Sequence, residues 1–459
     1  MPSRPRVSVI VTAYNLGRYL SAALDSALAQ ESPGGPIQII VVDDGSTDNT
    51  QAVLSAYADR VEVIRQENAG LVKAVDAGLA AVRGEYIALL DADDEWPRDR
   101  LRRHAEILDA NPQVGLVHGD MEIIDADGRT IHPSFFAWTQ QAPTDGRVLA
   151  RLIKDNFVSG GASTFRASLL PVIWPIAAEA AYPDWWIASN IAAVSEIVCD
   201  RASANRYRFH GANMGLGADH AKLLETERRE LPFRRWMMRH LVSDETIDLR
   251  SLSELVTRWR SAVALAAVAA GGSIRGVLPR DEAAAAAEQQ TAAAQPVGLE
   301  RCRSLARALS HDPLDGTTAV DIDVALMQAS ELDAPPPPLG EPLIALETRP
   351  VLVLAWLDDL VGRPELLRSF AADSLTRDDL TLAILVPAGA DLSELVALVE
   401  SDPALNDERC DLRVIGEPMT WPAQRLLTAR ASATLTGAGA PEGYAALPAH
   451  VAAAGTLAA

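Results

Sequence analysis

Asp91, Asp93 and Asp94 stand in a row at the end of an apolar run, Tyr86-Ile87-Ala88-Leu89-Leu90. A run apolar on both faces predicts a strand buried inside a mostly parallel sheet. Acids at its C-terminal end fall where open α/β sheets bind ligands. Side chains alternate along a strand, so Asp91 and Asp93 share one side. Two carboxylates that close repel unless a cation lies between them. A hard divalent ion, Mn2+ or Mg2+, held by one or two carboxylates plus substrate phosphates, would satisfy that geometry. Taken alone, the same residues also read as a solvated acidic turn before a helix.

A second apolar run, residues 37–42, ends in Asp43-Asp44-Gly45-Ser46-Thr47-Asp48. Two acid-tipped strand ends on the same side of a sheet face one crevice. Asp44 can accept hydrogen bonds from a ligand N–H, or it can serve as the turn residue before Gly45. Asp48 reads as a helix N-cap. Asp184 follows Pro183 at a predicted helix start, a position that suits a cap and stabilises a carboxylate.

The elements that must carry these groups follow from hydrophobic periodicity. Strands are expected at 7–12, 37–42, 61–65, 86–90 and 114–118, and helices at 16–30, 53–58, 71–82 and 99–110. The alternation predicts a doubly wound parallel sheet.

The chain has 459 residues and a formal net charge of -21, so two or three domains are expected, and neither nucleic acid nor an anionic membrane surface suits it as a general partner. A phosphate-bearing substrate would then need local positive charge, most simply a metal ion. Cys199, Cys302 and Cys410 are far apart and odd in number, which suggests neither a disulfide framework nor a zinc site. With no signal-peptide pattern and no apolar run long enough to span a bilayer, the expected location is the cytoplasm, in solution or at the face of a membrane.

Three stretches together carry a resemblance. Val7-Ser8-Val9-Ile10-Val11-Thr12-Ala13-Tyr14-Asn15, Val41-Val42-Asp43-Asp44-Gly45-Ser46-Thr47-Asp48 and Leu89-Leu90-Asp91-Ala92-Asp93-Asp94, in this order and spacing, resemble the family 2 glycosyltransferases of GT-A fold. The resemblance covers roughly residues 5–215. It implies that Thr12, Ala13 and Tyr14 line the nucleotide pocket and that Asp44 hydrogen-bonds the base. It implies that Asp91 lies near ribose and metal and that Asp93 ligates the metal. Gln66-Glu67-Asn68-Ala69-Gly70 resembles the family's Asn-x-Gly loop, which puts Asn68 and Gly70 at the donor. Where the family commonly has Arg-Asn, this chain has Val75 and Asp76, with Lys73 as a substitute cation. The segment at Asp184 is similar to one whose carboxylate acts as catalytic base. Asn205-Arg206-Tyr207-Arg208-Phe209-His210-Gly211-Ala212-Asn213 resembles a tail whose Arg, here Arg208, meets phosphate and whose His, here His210, closes over diphosphate or metal, with Asn213 as a flanking match. Residues 132–165, with Phe135, Phe136, Trp138 and Gly160-Gly161, fall in the half that binds the acceptor.

Beyond residue 220 the resemblance stops. Residues 1–220 are expected to be the GT-A domain, 221–334 a helical region, 335–344 a Pro-rich linker around Pro335–Pro338, and 345–459 a small α/β, Rossmann-like domain for self-association or a protein partner. Its strands are expected near 351–356, 380–386, 412–415 and 433–435, with Asp358-Asp359 in an exposed turn. The expected activity is metal-dependent, inverting transfer of a sugar from a nucleoside-diphosphate sugar, a UDP-sugar in the first instance, to a glycan or other hydroxyl-bearing acceptor. Two alternatives stay open: a non-catalytic module with a decayed site, and a nucleotidyltransferase. The latter would need a glycine-rich basic loop that Thr12-Ala13-Tyr14-Asn15 does not supply.

Overall fold

The computed structural model describes residues 4–210, part of 226–241, 343–387, 390–416 and 421–435. Two compact units divide the chain, Met1–Ile344 and Ala345–Ala459. Most of the expected helical region, the polyproline run, Asn213 and Cys302 lie outside the described residues.

The first unit begins with β1 (Val7–Ala13), α1 (Gly17–Leu28), β2 (Ile37–Asp43), α2 (Thr50–Ser55), β3 (Glu62–Arg65), α3 (Leu71–Ala80), β4 (Tyr86–Asp91) and α4 (Arg100–Ala110). β1 is buried along its whole length, and β2 and β4 nearly so, because helices cover both faces of their sheet. α1 turns Leu20, Ala23, Leu24 and Ala27 inward, the spacing of one helical stripe. α3 approaches β1 closely at Gly78, where a Cβ would sit 2.4 Å from Ile10 Cγ2.

β5 (Val114–Ile124), β6 (Thr130–His132), α5 (Phe135–Thr139), α6 (Leu149–Lys154), β7 (Ser163–Arg166), α7 (Leu170–Ile173), α8 (Pro183–Ala192) and β8 (Glu196–Arg208) follow. The sheet runs β3-β2-β1-β4-β7-β5-β6, and β8 pairs with β5. β1 to β4 are mutually parallel, as expected. The mostly parallel sheet closes with antiparallel strands: β7 runs antiparallel to both β4 and β5, and β6 antiparallel to β5, so the sheet as a whole is mixed. β8 returns parallel to β5, with register shifts around Gly119 to Met121.

The second unit holds β9 (Val351–Trp356), α9 (Leu357–Gly362), α10 (Pro364–Ser374), β10 (Leu380–Val386), α11 (Ser393–Ser401), β11 (Asp411–Gly416), α12 (Trp421–Arg430) and β12 (Ala433–Thr434). Its four strands are parallel in the order β11-β10-β9-β12. Asp358 and Asp359 open α9 rather than forming a turn, which sets two carboxylates at a helix N-terminus. Among the described residues, no helix is long and apolar enough to cross a membrane.

Candidate active site

Parallel pairing sets the site. β1 lies between β2 and β4 in a register that aligns Thr12 with Asp91 and Ala13 with Asp43. The acid-tipped ends of β2 and β4 therefore flank the end of β1. Thr12 stands beside Asp91 across the β1–β4 ladder, Ala13 is buried, and Tyr14 is 48% exposed. Asn15 takes a left-handed turn and locks it: its N–H donates to Ser46 Oγ at 3.0 Å, and its Oδ1 accepts from the Thr47 N–H at 2.8 Å. Asp48 Oδ1 accepts from the Thr50 N–H at the start of α2, and its Oδ2 from the Gly17 N–H at the start of α1, each at 2.9 Å. Hydrogen bonds from Thr50 and Gly17 hold that carboxyl below its ordinary value, against the upward push of burial.

Asp44 has other partners than a base. Its Oδ1 accepts from Gln66 Nε2 at 2.7 Å and the Ala69 N–H at 2.8 Å. Its Oδ2 accepts from the Gly70 N–H at 2.9 Å and Asn68 Nδ2 at 3.3 Å. Those four donors fill the acceptor capacity of a carboxylate. A base N–H reaches Asp44 only by displacing one of them. Asn68 and Gly70 thus hold the loop onto Asp44. Gly45 is required there: its φ is +77, and a Cβ would lie 2.7 Å from the Asn68 nitrogen.

Val75 is buried on α3, and Asp76 Oδ1 accepts the Ile176 N–H at 2.7 Å, so the two residues that replace Arg-Asn serve the core and a loop anchor. Lys73 is exposed on the same helix and forms no ion pair among the described residues.

The carboxylates converge. Burial raises Asp91 to about 7, and the charges of Asp93 and Asp184 add to that shift. Burial likewise lifts Asp184 to about 6, while hydrogen bonds from Trp185, Gly160 and Asn156 pull it back. The structure therefore brings Asp184, 93 residues beyond Asp91 in the numbering, into the electrostatic range of the strand-end acids. Asp184 opens α8, and the Gly160 N–H donates to its Oδ2 at 3.3 Å from the 3₁₀ turn Gly160–Ala162.

His210 lies beyond the end of β8. Its Nε2 is 2.9 Å from Asp93 Oδ2, and Tyr19 stacks on its ring at 5.1 Å. Among the described residues, no three such side chains are gathered as a ready-made metal cage. The Asp93–His210 pair nevertheless fits a cation, because adjacent donors on an octahedral Mn2+ or Mg2+ stand about 3 Å apart. Diphosphate oxygens and water would complete the shell, as is usual for these ions.

Arg208 is not available to phosphate. It is 3% exposed, and Nη2 pairs with Glu95. Nε donates to the Asp93 carbonyl at 2.7 Å, and Nη1 to the Asp125 carbonyl at 3.1 Å. The expected phosphate contact is corrected: its guanidinium is enclosed as a structural brace. Asp94, Glu95 and Asn205 lie in stretches that the sequence singles out without giving them a role, because their partners are 111 to 114 residues away in sequence.

Residues 8–174 match the family described as glycosyl transferase family 2. An uncharacterized glycosyltransferase of Nostoc sp. is 34% identical over 224 residues, 46% of this chain and 67% of that protein. The succinoglycan biosynthesis protein ExoO of Rhizobium meliloti is 41% identical over 155 residues, 33% of this chain and 43% of that protein. The chain therefore spans less than half of one relative and two thirds of the other. Among solved structures, S. aureus TarS 1-349 in complex with UDP-GlcNAc is similar at 17% identity and a TM-score of 0.44, covering 71% of this chain and 91% of that one. By its strand-end motifs, its mixed sheet and its relatives, the chain belongs to glycosyltransferase family 2 and is a glycosyltransferase.

Proposed function

We propose that this enzyme transfers a sugar from a nucleoside-diphosphate donor, a UDP-sugar in the first instance, to an acceptor hydroxyl of a glycan, with inversion at the anomeric carbon. The observation that carries the reading is that Asp184 lies within electrostatic range of Asp91, the acid that ends β4. Asp184 belongs to the segment after β7, whereas Asp91 and Asp93 belong to the nucleotide half. A carboxyl raised to about 6 is mostly ionised at neutral pH yet basic enough to accept a proton. In the proposed step Asp184 takes the acceptor hydroxyl proton as that oxygen attacks the anomeric carbon, and the bond to the diphosphate breaks. Gly160, Asn156 and the Trp185 N–H hold its carboxylate in one orientation. Thr12, Ala13 and Tyr14 line the nucleotide, and the exposed Tyr14 ring offers a face for the base. Asp44 shapes the base pocket by fixing Asn68 and Gly70, and Lys73 supplies the free positive charge. Asp93 and His210, with Asp91 beside them, would hold Mn2+ or Mg2+. When bound there, the ion offsets charge building on the departing diphosphate.

Catalysis is assigned to residues 1–220, and residues 345–459 to self-association or a protein partner. Limited proteolysis within 335–344 should release an N-terminal piece that still binds nucleotide; loss of binding would refute that division. The activity itself is tested by a hydrolysis screen of UDP-, GDP- and dTDP-sugars with Mn2+, with Mg2+ and with chelator. Metal-dependent release of one nucleoside diphosphate is expected. Equal rates in chelator would remove the metal from the reading, and no turnover of any donor with and without acceptor glycans would refute the reading.

A further inference from the structure

We propose that Asp94 is a positioning residue that delivers His210 to Asp93 by fixing the end of β8, without itself touching substrate or cation. The proposal rests on the reading of Asp93 and His210 as the cation's protein donors.

Asp94 is 2% exposed, and both of its oxygens are turned toward β8. Oδ1 accepts the Arg208 N–H at 2.8 Å. Oδ2 accepts from Asn205 Nδ2 at 2.6 Å. One carboxylate thus grips β8 at two points three residues apart, and the second lies two residues before His210. The neighbouring backbone repeats the contact: the Arg206 N–H donates to the Glu95 carbonyl at 2.8 Å, and the Glu95 N–H to the Arg206 carbonyl at 3.3 Å. Glu95 adds ion pairs to Arg206 and Arg208. The turn that carries Asp93 and the strand that leads to His210 are therefore one hydrogen-bonded body.

A third acid beside Asp91 and Asp93 adds repulsion and desolvation, a cost that an apolar side chain would not carry. What it provides is a backbone anchor. A carboxylate accepts at both positions at once, and no neutral side chain of that length does so without rearrangement. Asparagine comes nearest. Its oxygen could take the Arg208 N–H, and its new donor could meet Asn205 if that amide turned over. Asn205 Oδ1 is buried with no hydrogen-bond partner, so the turn would give up only the weak contact of Nδ2 with Met121 Sδ at 3.9 Å.

The test uses the full chain and two readouts. First, with no metal present, the ring signals of His210 are followed by NMR in wild type, Asp94→Ala and Asp94→Asn. They should move in Asp94→Ala and return toward wild type in Asp94→Asn. Unmoved signals in Asp94→Ala would overturn the proposal. Second, Mn2+-dependent UDP affinity is measured in Asp94→Ala, His210→Ala and the double variant. Losing a group that orients a metal ligand typically costs about 10- to 100-fold in metal affinity. Asp94→Ala should lose about that much, and the double variant should bind no more weakly than His210→Ala. Multiplicative losses would show that Asp94 acts independently of His210 and would overturn the proposal. If His210→Ala binds Mn2+ and UDP as wild type does, the cation reading fails instead, and the metal-free signals still decide whether Asp94 places His210. Should Asp94→Ala not fold, Asp94→Ser, too short to span both contacts, takes its place.

Discussion

Arg208 and Glu95 form an ion pair that closes over the turn following β4, with the Arg208 side chain 4% exposed and that of Glu95 21% exposed. The guanidinium faces inward, onto the carbonyls of Asp93, Asp125 and Ala126, rather than toward the crevice.

Arg208→Ala should therefore act on stability. Removing one partner of an enclosed pair leaves the other charge uncompensated, at a cost on the order of 3 kcal/mol. Chemical denaturation would measure it. A variant as stable as wild type but deficient only in nucleotide binding would restore the phosphate role.

Asp184→Asn should keep nucleotide binding and lose turnover by roughly 10²- to 10⁴-fold. In the wild type, kcat/KM should rise with pH through about 6, because the base must be ionised. Measuring diphosphate affinity and turnover on one preparation separates the two effects. Near-normal turnover would leave Asp184 as the opening residue of α8 and nothing more.

Stability of the metal-free protein should fall as pH rises. Asp91 and Asp184 have folded-state values raised to about 7 and about 6, above those of an unfolded chain. Such groups favour the folded state fully at low pH and lose that contribution as pH rises through the folded values. The loss should span about pH 4 to 7 and be smaller with Mn2+ present. Thermal midpoints across that range, in Asp91→Asn and wild type, would show it. An identical pH slope in the two proteins would contradict the assignment for Asp91.

Asp48→Ala removes an acceptor that joins the first turns of α1 and α2. Loss of such a helix-start acceptor costs about 1 kcal/mol. The fall in stability should come with no change in turnover measured well below the unfolding temperature, since the Asp48 carboxylate is occupied by the Gly17 and Thr50 N–H groups at the two helix starts.

Much of the nucleotide half could be read from the sequence because β1, β2 and β4 are buried on both faces and appear as unbroken apolar runs. β7 has four residues, too few to show a period, and β8 has polar residues such as Glu196, Asp200, Arg201 and Asn205 spread along it. Their placement depends on pairing with β4 and β5, which no local pattern carries. The same limit applied to side chains. Asp44 looked available because its four donors come from Gln66 to Gly70, more than twenty residues away. Local sequence cannot show that Arg208 is taken up by Glu95, which is 113 residues away.

The antiparallel seat of β7 bears on how the crevice can move. Ala88 of β4 pairs with Thr164, and Val117 of β5 pairs with the same Thr164 from the other side. β1 to β4 and β5 to β8 are thus laced into one continuous hydrogen-bonded sheet. A clamshell motion of two rigid lobes would have to tear ladder bonds on one side of β7. Opening and closing must instead belong to the loops and side chains at the rim, a gate swinging on a fixed frame rather than a hinged jaw.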